Sequence, residues 1–201
     1  MEKESPEKER LISEILDIEL DMFVSVRSRY PVACQNNPEG FRVMRSAQFS
    51  VWSEETLQSY RSDLEVALDE GQNLMTLKYA RMESLMAPLH IAPHADNILN
   101  EIVRVQMEWQ EEMVSQYPAL MSRGRPLTDT EKKPADTSFK IYLRCELETY
   151  SLMTLTHLFR DIMVKLSQGK NMTEEIYTRM VSELGYSDIE EAEETAQKIT
   201  T

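Results

Sequence analysis

Two cysteines, three histidines and five glycines are few for a chain of 201 residues, and each shortage excludes something. Cys34 and Cys145 cannot build a disulfide framework, so two free thiols are expected. The scarcity of glycine leaves little for the tight turns of a many-stranded sheet, which favours helix before any pattern is read. None of His90, His94 and His157 stands in the Glu-x-x-His motif of a di-iron bundle. His90 and His94 have a metal-like spacing, but Pro93 interrupts the helix that would align them, so no metal and no cofactor is expected. There is no glycine-rich phosphate loop, no G-x-S-x-G elbow and no C-x-x-C pair. No apolar run approaches the ~18 residues of a membrane span. Basic residues are also short, 22 against 35 acidic ones, and the net charge of -13 is spread over both halves. Duplex nucleic acid and anionic lipid, which both call for concentrated Lys and Arg, are therefore set aside as partners. The opening MEKESPEKER lacks the apolar core of a signal peptide, which sets the expectation of a cytoplasmic protein.

What is present is helical periodicity. Pro6 suits a first helical turn, and Ile12, Ile15, Leu16, Met22, Phe23 and Val26 make one stripe from it to about Val26, before Tyr30-Pro31. Asn37-Pro38 opens a second helix toward Trp52, Ser53 a third with Leu57, Tyr60, Leu64, Ala67 and Leu68 inward, and Asn73 a fourth after a break at Gly71. Asp96 is expected to cap a helix reaching about Gln116. Three prolines and a basic set, Arg123, Arg125, Lys132 and Lys133, then mark a long irregular stretch to Ala135. Ser138 to about Gln168 reads as one long helix, apolar on nearly every side. Thr173 and a Ser187/Glu190 capping box begin two short acidic helices. The expected fold is thus all-α, an irregular multi-helix bundle around a long central helix at about 138–168. Residues 1–170 would form the bundle and 171–201 an acidic, loosely held helix pair packed on or appended to it.

Several charges fall on faces that ought to be buried. At about 100° per residue, Glu19 lies amid the first helix's apolar stripe. Glu148 falls among Ile141, Leu152, Leu155 and Phe159, and Glu146 lines up with Tyr150, Met153 and His157. Lys78 and Arg81 share a face with Leu74, Leu77 and Leu85, while Arg45 and Gln48 share one with Phe41, Met44 and Trp52. A lone buried charge costs several kcal/mol or more, so these groups are expected to converge. One outcome is an internal ion-pair network that fixes helix register. The other is an interior pocket whose surplus arginines hold an organic anion, or whose carboxylates do acid-base work.

Three segments, CQNNPEGFRVMRSAQFSVWSEETLQSYRSDL, GQNLMTLKYARM and TSFKIYLRCELETYS, resemble a bacterial family described only as a domain of unknown function. The resemblance covers roughly residues 11 to 165, implies joining to tetratricopeptide repeats in some members, and carries no activity. Arg27, Arg42, Arg45, Arg81, Arg144, Glu146 and Tyr150 are candidates by their chemistry alone, beside Glu19, Gln48, Trp52, Lys78 and Glu148. The leading expectation is a noncatalytic binding module whose Arg/Glu-lined interior takes a small anionic ligand or a peptide. The alternatives are an enzyme with Glu146, Glu148 or Glu19 as base beside Arg144 or Arg81, and a scaffold that docks a protein partner.

Overall fold

A computed structural model of the chain describes residues 5–27, 37–89, 91–128 and 137–200. The described residues form ten helices and no strand: α1 Pro6–Val24, α2 Pro38–Ser50, α3 Glu54–Asp69, α4 Leu74–Met82, α5 Pro93–Gln116, α6 Pro118–Met121, α7 Phe139–Leu147, α8 Leu152–Ser167, α9 Met172–Glu183 and α10 Ile189–Thr200. The expectations for Cys34, for His90, for the turn at Tyr30-Pro31 and for Lys132 and Lys133 lie outside the described residues.

Local chemistry sets most of the boundaries. The side chains of Ser5, Asn37, Ser53, Asn73, Ser138 and Ser151 each accept a hydrogen bond from a backbone N–H three residues on, satisfying a donor the first helical turn would leave orphaned. Gly71, between α3 and α4, takes a left-handed φ of 68°, a conformation that costs other residues a clash with Cβ.

Other starts shift from expectation. α5 begins at Pro93, so Asp96 sits in its first turn. Asn171 rather than Thr173 caps α9. At α10 it is Asp188 whose carboxylate accepts from Glu191 N–H, and Glu191 rather than Glu190 closes back on the Ser187 N–H.

The main correction concerns the centre. The span read as one helix at about 138–168 is two, α7 and α8, separated at Glu148–Ser151. Ser151 has extended backbone (ψ 159°), its hydroxyl caps Thr154 N–H, and its own N–H is taken by the Asp63 carboxylate of α3 at 3.0 Å. Both helices bury their apolar sides in the same core, so the periodicity runs on across a break made by a cap and a remote carboxylate.

α3 and α8 pack antiparallel with reciprocal carboxylates. Asp63 receives the start of α8, and Asp161 of α8 receives the start of α3, accepting from Ser53 N–H at 2.8 Å and Thr56 Oγ1 at 2.6 Å. α1 lies along α3, and α5 supports α8 from another side. Leu11, Ile15, Phe23, Leu57, Leu64, Leu99, Ile102, Leu155 and Ile162 build the shared core, whereas Leu68, expected inward near the end of α3, is exposed. The acidic C-terminal pair is held by packing: α9 lies against α2 and α5, and α10 against α6 and α9. Met113, Met121, Val181, Ile189 and Ala192 form a second, smaller apolar cluster there.

Candidate functional site

The inward charges meet. Glu19 of α1 is completely buried, and its carboxylate receives Arg45 of α2 in a two-point contact, Nε to Oε2 at 2.8 Å and Nη2 to Oε1. Arg45 is buried as well and turns Nη1 to Glu146 Oε1 of α7 and to Gln48 Oε1, both at 2.7 Å. Glu146 Oε2 accepts from Lys78 Nζ of α4 at 2.6 Å. Two phenols complete the shell: Tyr60 of α3 donates to Glu19 Oε1 at 2.5 Å and Tyr150 to Glu146 Oε1 at 2.8 Å. One connected set of side chains therefore ties α1, α2, α3, α4, α7 and the α7–α8 break together.

The wall of this centre is aromatic. Tyr60 and Tyr150 lie 4.8 Å apart between ring centroids, and the Trp52 ring meets both edge-on at 5.7 and 6.2 Å. The Arg45 guanidinium stands 4.7 Å over Phe49, and the Lys78 ammonium 3.7 Å over Tyr142, whose ring also faces Arg125 at 4.7 Å.

Electrostatics follow from that balance of two carboxylates and two cations. Burial pushes the Glu146 carboxyl up, but Arg45 and Lys78 beside it more than offset this and hold it far below the usual carboxylate range. Burial pulls Arg45 and Lys78 down, and the facing carboxylates reverse the direction, leaving both cations more firmly protonated than in water. The Tyr60 and Tyr150 phenols are raised well above their ordinary value by burial and by Glu19 and Glu146 respectively. Glu146, Arg45, Lys78 and the two phenols therefore each keep one charge state across neutral pH.

A second ionic group lies nearer the surface. Glu148, buried at the α7–α8 break, accepts from Arg81 of α4 (Nε to Oε2, 2.9 Å) and from Arg144 of α7 (Nε to Oε1, 3.2 Å). Arg144, whose side chain is 38% exposed, carries on to Asp96 at 2.8 Å and Asn100 at 2.6 Å on α5. Cys145 is buried between these arginines, with its thiol pushed up by burial.

Of the candidates read from the sequence, Glu19, Arg45, Gln48, Lys78, Glu146 and Tyr150 share the inner network, Trp52 lines it, and Arg81, Arg144 and Glu148 form the second group. Arg42 is outside both, paired with Asp17 at the surface at 2.6 Å. Arg27 is exposed beyond the end of α1. Sequence reading missed Tyr60, taken only as a core residue, and Tyr142, Asp96 and Asn100. A tyrosine in the middle of an apolar stripe is itself a signal, because its hydroxyl needs a buried partner. It also missed Glu193, which is buried on α10 and accepts from Ala119 N–H at 3.1 Å and Leu120 N–H at 2.6 Å, at the start of α6. Among the described residues, no group of three or more His, Cys, Asp or Glu could hold a metal ion. No helix in them is long and apolar enough to cross a membrane.

A family model described as "Protein of unknown function (DUF4125)" matches residues 9–194, and the chain belongs to that family. The match runs beyond the segments that carry the sequence resemblance and takes in α9 and the first half of α10. No curated protein and no solved structure matches the chain.

Proposed function

We propose that this member of the DUF4125 family is a noncatalytic protein-docking module whose interior ions hold a rigid helical frame instead of forming a pocket for an anion. The observation that carries this reading is the closure of the inner network. Glu19 and Glu146 are matched by Arg45 and Lys78, and four of the five N–H bonds of Arg45 have acceptors within the network. An anion site needs a cation to spare, and the buried pair of cations is spent on carboxylates already in place. The enzyme reading finds less support still. A carboxylate held far below its ordinary range, as Glu146 is, is a weak base at neutral pH, and general acid-base work calls for the opposite shift. The joining to tetratricopeptide repeats that the resemblance implies suits a docking role, since such repeats are themselves stacked helix pairs with binding surfaces.

Thermal-shift screening against organic anions (carboxylates, phosphates, nucleotides) tests the choice. The docking reading expects no change in melting temperature beyond a degree or so. A rise of several degrees with one anion class, lost in an Arg81→Met or Arg144→Met variant that still folds, would restore the ligand reading.

A further inference from the structure

The outward face of α8 is not what a solvent-facing helix usually offers. At about 100° per residue, Met153, Thr156, Arg160, Met163 and Val164 fall on one stripe at spacings of three, four and seven, the pattern of a helix that packs on another helix. Met153, expected in line with Glu146 on one continuous helix, is turned outward by the α7–α8 break and is 61% exposed, and Met163 and Val164 are each 47% exposed. Arg160 stands in the middle of the stripe, exposed, and has no ion-pair partner among the described residues.

Beside this stripe runs an open groove between α3 and the first half of α8, with a cavity volume of about 410 Å³. Glu55, Ser59, Asp63, Met153 and His157 are among its lining residues, which include two carboxylates and no lysine or arginine. Asp63 is already engaged by Ser151, whereas Glu55 is exposed and, among the described residues, has no partner. The hydrogen bonds Ser53–Asp161, Ser59–Thr154 and Asp63–Ser151 fix the antiparallel register of α3 on α8 and put Glu55 level with about residues 158–160.

We propose that this face docks a second copy of the same chain, α8 against α8 in an antiparallel two-fold contact, with Arg160 of each copy entering the other's α3–α8 groove at Glu55. A two-fold axis near Thr156–Arg160 makes the surface self-complementary, as an isologous contact must be. Met153 of one copy then meets Met163 and Val164 of the other, and the cation and anion left alone in the monomer are matched twice over. A heterologous partner would need to supply both a basic residue and apolar ones at this spacing, and the chain already carries that set itself. α8, at 16 residues, is about 24 Å long, so the contact sits at the small end of specific interfaces and the dimer is a concentration-dependent one. The inference rests on the docking reading and names its partner.

Sedimentation equilibrium of the full chain from about 1 µM to 500 µM tests it, with wild type, Arg160→Glu, Glu55→Arg and the double reversal compared at about 0.1 M salt. All three variants substitute exposed positions, and circular dichroism melts would establish that each folds. The expected result is a monomer–dimer equilibrium in wild type, a dissociation constant at least tenfold weaker in each single variant, and recovery to within about threefold in the double. Wild type that stays monomeric throughout overturns the proposal, as does a dimer indifferent to the single reversals or a double variant that fails to recover. These outcomes are separable from the docking reading. A monomer that also ignores organic anions removes self-association alone, whereas a specific anion response removes the docking reading whatever the oligomeric state.

Discussion

Two regions of this molecule bury carboxylates, and they neutralise them in different ways. In the main bundle, Glu19 and Glu146 face Arg45 and Lys78, so each anion is balanced by a full positive charge brought from another helix. In the C-terminal region, Glu193 faces no cation among the described residues and is balanced by the Ala119 and Leu120 N–H groups at the start of α6, with Gln197 donating at 2.9 Å. Burial pushes the Glu193 carboxyl up, and those donors bring it below its ordinary value. The ionic solution couples five helices, and the backbone solution couples two.

The sharpest way to break that contrast is Arg45→Met, which strands the buried Glu19 carboxylate and leaves Glu146 with Lys78 alone. It should cost roughly 3–5 kcal/mol of unfolding free energy in urea titration. A loss below about 1 kcal/mol would mean that water reaches Glu19 and Glu146, and the closed network would have to be abandoned. Replacing all four ions together with apolar residues of similar volume should restore much of that loss, since buried ion networks stabilise little more than well-packed apolar groups do.

Acid exposes the same dependence. Because the Glu146 carboxyl lies lower in the folded chain than its ordinary 4.5, its stabilising contribution is complete above about pH 4.5 and drains away as pH falls below that value. Chemical denaturation at pH 7, 4.5 and 3 should show steadily decreasing stability over the lower interval. At the other end, the raised Tyr60 and Tyr150 phenols contribute fully below their ordinary 10 and lose ground as pH climbs past it.

A smaller effect is expected at the other carboxylate. Glu193→Ala removes the acceptor of two backbone N–H groups and should cost about 1–2 kcal/mol, in the range of a lost helix cap. Hydrogen exchange should accelerate in α6 and α10 and leave α1, α2 and α7 protected. Loss of protection across the whole chain would show that the two regions are one cooperative unit. Smallest of all is Arg42→Ala at the exposed pair with Asp17, where ~0–1 kcal/mol is expected from an equilibrium melt. A larger loss there would point to a role for Arg42 outside that pair.

The Glu19 and Arg45 side chains were legible before any coordinates, because a charge in the middle of an apolar stripe has to find a partner. Glu193 was not: its helix is acidic throughout, Glu190, Glu191, Glu193 and Glu194 included, and nothing local distinguishes the one that turns inward. The long helix expected at 138–168 failed for a related reason. Its break joins the local Ser151 cap to Asp63, 88 positions away in the chain, and a remote acceptor leaves no mark on the local period. Likewise, Arg42 and Arg45 lie one turn apart on α2 and only one of them enters the core.

By itself the sequence determined that the chain is helical, where most helices begin, and which charges could not be left in apolar surroundings alone. Those are local matters, set by capping hydroxyls and amides, by proline and by a period of 3.6. Tertiary structure decided who pairs with whom, whether the interior charges leave any to spare, and which acidic residue of α10 meets the start of α6. Pairing depends on the relative placement of helices, and the same inward stripe is compatible with many placements until packing selects one.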